Sequence, residues 1–159
     1  MNQHDAPAFT RLINLAAAQL GAEALLCTDD FFAEKENLVK SGRGIFIPDK
    51  YTDRGKWMDG WESRRKRVPG HDWCIVRLGA PGIVRGFDID TNHFLGNHPP
   101  HASIEACYRP DFPDAAVLDS AAVEWKEILP KSPLQPGSQN FYACDHQQLV
   151  THVKLHIYP

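Results

Sequence analysis

Near the end of the chain Val153, Leu155 and Ile157 alternate with His152, Lys154 and His156, the cleanest period of two in the sequence. That pattern predicts a strand with three apolar side chains turned inward. The same period recurs earlier. Ile83, Phe87 and Ile89 share a face with Arg85, opposite Val84, Gly86, Asp88 and Asp90, while Ile104, Ala106 and Tyr108 alternate with Ser103, Glu105, Cys107 and Arg109. Runs at 74–78 and 83–89, joined by Ala80-Pro81-Gly82, predict a hairpin of two buried strands. Further strands are expected around Val123 and Trp125 and over 141–144; Ala24-Leu25-Leu26-Cys27-Thr28 is a compact apolar run, and in the mostly ordered loop punctuated by Gly42, Gly44, Pro48 and Gly55 only Ile45-Phe46-Ile47 is apolar enough for a strand. Only the front of the chain carries helical spacing: Phe9, Leu12, Ile13, Ala16 and Leu20 predict one short amphipathic helix, with Gly21 as its C-terminal cap. Strands without intervening helices argue for a mainly β, antiparallel β sandwich.

A length of 159 residues suits one domain over 1–159, and no internal repeat or low-complexity segment divides it. The net charge of −3 gives no general attraction to nucleic acid or to an anionic membrane. No apolar run approaches the ~20 residues that span a bilayer, and the polar start lacks the pattern of a secretion signal, so a cytoplasmic protein is expected. Cys27, Cys74, Cys107 and Cys144 form no CxxC pair and sit in or beside apolar segments, as free thiols of a reducing compartment do.

The candidate chemistry lies between residues 59 and 98. Arg64, Arg65, Lys66 and Arg67 put four cations in succession, and a guanidinium matches a carboxylate with two parallel hydrogen bonds, so a small acid is the natural guest. A charge run alone is more often a solvated loop. Trp61 and Glu62 before it, and His71, Asp72 and Trp73 after it, add a wall, an acid or base and an orienting pair. Asp88 and Asp90 share one strand face, where burial and mutual repulsion can push two carboxylates to different pKa values, and His93, Asn97 and His98 follow. These are parts for C–N bond hydrolysis. Asp90, His93, His98 and Glu105 could instead serve a divalent cation, although their spacing matches no compact ligand motif. Asp29 and Asp30 read first as turn formers. No GxSxG elbow and no Gly-rich phosphate loop occurs, which sets aside serine-hydrolase and nucleotide-binding readings.

Several motifs, in order, carry a resemblance. Thr28-Asp29-Asp30-Phe31-Phe32-Ala33, Glu36-Asn37-Leu38, Asp59-Gly60-Trp61-Glu62 with Arg64-Arg65, Gly70-His71-Asp72-Trp73, Gly86-Phe87-Asp88-Ile89-Asp90-Thr91, Phe94 with Gly96-Asn97, and Thr151-His152-Val153-Lys154-Leu155 resemble the N-terminal repeat of the allantoicases. The resemblance covers nearly everything from Phe9 to Pro159. It implies a jelly-roll sandwich of the galactose-binding-like kind, and hydrolysis of allantoate to ureidoglycolate and urea in purine degradation. It also implies a second repeat as partner, a homo-oligomer, and a last strand beyond Tyr158-Pro159 without which a sheet edge stays open. On this reading Arg64 or Arg65, with Trp61 and Asn97, hold the substrate. One of Glu62, Asp90 and Glu105 activates water, and another acid or His93 protonates the departing nitrogen. The competing classes are a non-catalytic module binding a small anion or sugar, and a structural repeat of an oligomer.

Overall fold

The computed structural model describes residues 6–159. Its main sheet has five antiparallel strands in the order β1 (Glu23–Cys27), β4 (Asp72–Gly82), β9 (Val150–Tyr158), β6 (His101–Cys107) and β7 (Lys126–Pro133). A second layer consists of β5 (Gly86–Asp90) paired antiparallel with β8 (Gln139–Ala143), and a small ribbon joins β2 (Tyr51–Thr52) to β3 (Gly55–Lys56). The fold is therefore the expected mainly β, antiparallel sandwich.

Register sets the two faces of the main sheet. Val76 lies opposite Val153, which lies opposite Ala106, and Cys74 opposite Leu155, which lies opposite Ile104. With Leu78 and Ile157 these side chains make the inner face. It packs against Val84, Phe87 and Cys144 of the second layer, and against Ala22, Ala24, Val39 and Trp61 toward the other end. The outer face is not left to solvent. Ile75, Trp73 and Cys107 are roofed by the single helical turn α1 (Ala115–Leu118) and the segment after it, through Val117, Leu118, Val123 and Trp125. Asp114 caps that turn, its carboxylate accepting from the Val117 N–H at 3.0 Å.

Four local expectations are corrected. The 74–78 and 83–89 runs do not form a hairpin: β4 continues through Pro81 to Gly82, paired with β1 and β9, and β5 crosses to the other layer to pair with β8. Sequence adjacency loses here because both runs are apolar enough to be buried by different neighbours. The N-terminal helix breaks into two short 3-10 turns, Ala8–Arg11 and Ala18–Leu20. Between them the backbone bonds outward: the Leu15 carbonyl accepts from Gly79 N–H at 2.9 Å, and the Asn14 side chain takes the Ala16 N–H at 3.0 Å. Residues 45–47 carry no strand, and the strand expected near Val123 and Trp125 begins at Lys126. All four cysteines are free, and burial pushes the thiols of Cys27 and Cys107 up to about 11.

Gly79 is where the N-terminal segment crosses β4. A Cβ there would stand 2.8 Å from the carbonyl carbon and oxygen of Leu20, backbone atoms that cannot rotate away. Gly79→Ala is expected to cost about 1–3 kcal/mol by overpacking and to lower the melting temperature by several degrees, read by thermal denaturation.

Candidate functional site

Two segments far apart in sequence meet at one end of the sandwich. Glu62 N–H donates to the Ala33 carbonyl at 3.0 Å, and the Phe32 and Ala33 N–H groups both donate to the Glu62 carbonyl at 3.2 Å. Trp61 is buried in the core, and its indole N–H donates to the Asp29 carbonyl at 2.8 Å. The same aspartate accepts the Phe31 N–H on Oδ1 and the Arg64 Nε–H on Oδ2, each at 2.8 Å. Burial opposes ionisation of Asp29, but the Arg64 and Phe31 hydrogen bonds outweigh it and hold the carboxyl below the usual range. One residue back, Thr28 donates to Asp72 at 2.7 Å, and Asp72 also accepts from Lys66 Nζ at 3.1 Å.

These bonds shape a hollow of about 500 Å³ lined by Asp29, Phe32, Arg64, Arg65, Lys66, Arg67 and Val68. Four cations face a single lining acid. Arg64 is paired with Asp29 and Lys66 with Asp72, whereas Arg65 and Arg67 make no ion pair among the described residues. The hollow therefore carries uncompensated positive charge with guanidinium donors free, the chemistry that takes a carboxylate or another small oxyanion.

The remaining expected residues divide between this neighbourhood and two others. Asn97 donates to Glu62 Oε1 at 3.0 Å, which brings those two together. Asp90 is held elsewhere by a two-pronged bond from Arg43, at 2.8 and 3.0 Å, and also accepts the Asn92 N–H at 2.9 Å. His93 adopts a left-handed backbone, φ 68°, with its ring 5.6 Å from that of Phe46. Crowding by neighbouring atoms pushes the Asp88 carboxyl up, Gln139 opposes this, and the nearby Asp90 charge adds to it. Glu105 stands on the outer face of the main sheet, bonded to His156 at 2.6 Å. The four expected acid–base groups thus make no hydrogen bond with one another among the described residues. The four suggested cation donors do not either: His98 Nδ1 contacts the Leu95 carbonyl, and among the described residues no group of three or more His, Cys, Asp and Glu side chains could hold a metal ion.

The family model described as the allantoicase repeat matches residues 13–159. The chain belongs to the allantoicase repeat family. A probable allantoicase of Photobacterium profundum is 51% identical over 151 residues, covering 95% of this chain and 44% of that protein. A probable allantoicase of Burkholderia mallei is 48% identical and matches all of this chain and 46% of its own length. The crystal structure of allantoicase from Saccharomyces cerevisiae superposes with a TM-score of 0.83 at 30% identity, over 100% of this chain and 50% of that one. A carbohydrate-binding module from a Clostridium perfringens glycoside hydrolase, at 13% identity and a TM-score of 0.61, shares the fold alone. The chain spans about half the length of the curated allantoicases it matches.

Within this allantoicase repeat the structure adds residues to those expected. Asp29 is both a turn former and the partner of Arg64, two uses of one carboxylate that a turn signal cannot separate. Lys66 and Arg67, already read in the cation run, do line the hollow together with Arg64 and Arg65. Arg43, which clamps Asp90 from 47 positions away, left no local signal at all.

Proposed function

We propose that this chain supplies one repeat of an enzyme that hydrolyses allantoate to ureidoglycolate and urea in purine degradation. The observation that carries the reading is the cationic hollow at 64–67; Glu62, two residues before Arg64 in sequence and bonded to Asn97, is assigned as its acid. Allantoate has a carboxylate and two ureido groups on one carbon. Arg65 and Arg67 take the carboxylate, with Arg64 held in place by Asp29. The Asn97 amide oxygen accepts a ureido N–H. Glu62 accepts a proton from water as its oxygen bonds to the central carbon, the C–N bond to one ureido group breaks with its electron pair on nitrogen, and that nitrogen gains a proton to leave as urea. Trp61 acts by fixing Asp29, since its ring is spent in the core. Asp90, His93 and Glu105 stand outside this arrangement. The second repeat and a homo-oligomer are the expected partners, with the open edges at β1 and β7 and along β5 and β8 as surfaces for them.

The deciding experiment measures urea released from allantoate by this chain, alone and joined to the second half of the Photobacterium relative, each with and without a divalent cation. Urea release in either form supports the reading. Calorimetric binding of allantoate with no urea in any preparation would replace it with the binding-module reading, and neither binding nor turnover would reject both. Arg65→Ala removes one charge-assisted carboxylate contact of about 1.5–3 kcal/mol, so KM should rise about 10–100-fold with kcat little changed.

A further inference from the structure

A second hollow, of about 300 Å³, shares no lining residue with the one at 64–67. Its walls are the loop 41–45, Trp57 and Asp59, with Asn37 and Lys40. The loop has no helix or strand of its own and is mostly exposed, yet it is pinned at three points. Arg43 binds Asp90 with two bonds at 2.8 and 3.0 Å, the Gly44 carbonyl accepts from the Asn92 side chain at 2.8 Å, and the Ile45 N–H donates to Asp59 Oδ2 at 2.9 Å. The packing is close enough to require Gly44, since a Cβ there would stand 2.7 Å from the Asp59 carbonyl oxygen. Trp57 is fixed as well: its backbone N–H donates to the Lys50 carbonyl at 2.9 Å, and the Lys50 ammonium sits 4.3 Å from the centre of its ring. Holding irregular backbone this firmly costs chain entropy that so exposed a loop does not recover by burial, and a rigidly held surface loop is the usual setting of a binding site.

Charge and hydrogen-bonding capacity narrow the guest. Lys40 Nζ lies 3.4 Å from Asp59, and the Arg43 guanidinium is paired with Asp90, so the charges of this hollow cancel. An ion of either sign meets no net opposite charge here, in contrast to the first hollow, and a neutral guest is favoured. Acceptors are in surplus. Asn37 donates through Nδ2 to the Gly60 carbonyl at 3.0 Å, while its Oδ1 is covered and accepts from nothing among the described residues. Buried acceptors in that state are rare and mark a place for a donor. Each Asp59 oxygen takes one bond and has a lone pair for a second. On the donor side Arg43 spends two of its five N–H groups on Asp90. The guest that fits brings N–H groups for the acceptors, a carbonyl for the guanidinium, and a shape flat enough to lie along an indole.

We propose that this second hollow binds a small neutral molecule carrying a ureido or amide group. The guest's N–H groups donate to Asp59 and, after a small rotation of the Asn37 side chain, to its Oδ1; the guest's carbonyl accepts from Arg43, and its plane lies along Trp57. The volume is at the lower end for small-molecule sites and admits a single small ring. The assignment does not rest on the function proposed above, because the two hollows have no residue in common and the readout needs no turnover.

The probe is hydantoin, a neutral cyclic ureide, added to the 15N-labelled chain and followed by 1H–15N correlation NMR. The expected result is a saturable shift of the Trp57 indole, the Asn37 side-chain amide and the backbone amides at 41–45, with no comparable shift at 64–68. A Kd in the millimolar range or tighter suits so small a ligand. Asp59→Asn keeps an oxygen for the Ile45 N–H and removes the charge, so it should weaken binding about tenfold, and Trp57→Leu by a similar factor. Thermal denaturation first shows that each variant is folded. Methyl β-galactoside, whose hydroxyls could meet the same donors and acceptors, should leave these resonances unmoved. No saturable shift at Trp57 and 41–45, shifts centred on 64–68 instead, or an equal response to the galactoside overturns the proposal. An Asp59→Asn protein that binds hydantoin within about twofold of the parent overturns it too. If neither variant folds, the shifts of the unaltered chain decide.

Discussion

Between pH 7 and pH 4 the protein is expected to lose about 3 kcal/mol of stability through His152 alone. This side chain is fully buried on β9, its Nδ1 2.8 Å from the Thr151 hydroxyl and its Nε2 without a partner among the described residues. Burial first, then the charges of Arg77 and Arg109, push its pKa down to about 4, with Asp111 opposing. In the unfolded chain the imidazole takes up a proton below about 6.5. The native state refuses that proton until about pH 4, so the contribution is complete above pH 6.5 and is lost as the pH falls toward 4. At 1.36 kcal/mol per unit, the interval gives the figure stated. Chemical denaturation at pH 7.5, 6, 5 and 4 reads it directly. His152→Gln removes the titrating group, and its stability should fall less steeply over the same interval, whatever its absolute value. Equal slopes in the two proteins would rule out His152 as the cause. His71, also held below the usual range, contributes in the same direction.

His152 also marks how far local pattern reaches. The alternation at 152–157 placed a strand and its inward face correctly, because Val153, Leu155 and Ile157 do meet the inner core. It put His152 and His156 together on the opposite face without showing that both are buried there. The outer face is itself covered near Ile75 and Cys107 by residues 117–125, a segment whose packing against β4 and β6 no period in β9 announces. The 74–78 and 83–89 runs show the same limit for topology: apolar character says that a strand is buried and not which partner buries it. At the candidate site, the four cations at 64–67 were legible because they are consecutive, and their hollow is built largely from that one stretch. The contacts of His156 with His71 and Glu105 were not, since positions 71, 105 and 156 become neighbours only through the order β4, β9, β6. Asp88 and Asp90 do share a face, and burial with the Asp90 charge does push the Asp88 carboxyl up, while Arg43 binds Asp90 with both prongs and makes it a clamp for the 40s loop.

Glu62→Gln is expected to lower kcat for urea release by about 100-fold or more while KM stays within a few-fold, the range that removal of a general base produces. The substitution is chosen because it keeps what the structure shows. Glutamine offers the same carbonyl oxygen to the Asn97 amide at the position now 3.0 Å away, and the backbone exchange of residue 62 with Phe32 and Ala33 is independent of the side chain. What disappears is a carboxylate able to accept a proton from water. Asn97→Ala is the companion measurement. It leaves the carboxylate and removes the amide, so its cost should appear mainly in KM. The two variants separate proton transfer from grip: a large kcat loss in Glu62→Gln with a KM effect in Asn97→Ala assigns the roles as stated. A Glu62→Gln protein turning over allantoate within threefold of the parent would move the base elsewhere. Asp90, already held by Arg43 and the Asn92 N–H, makes a poor replacement.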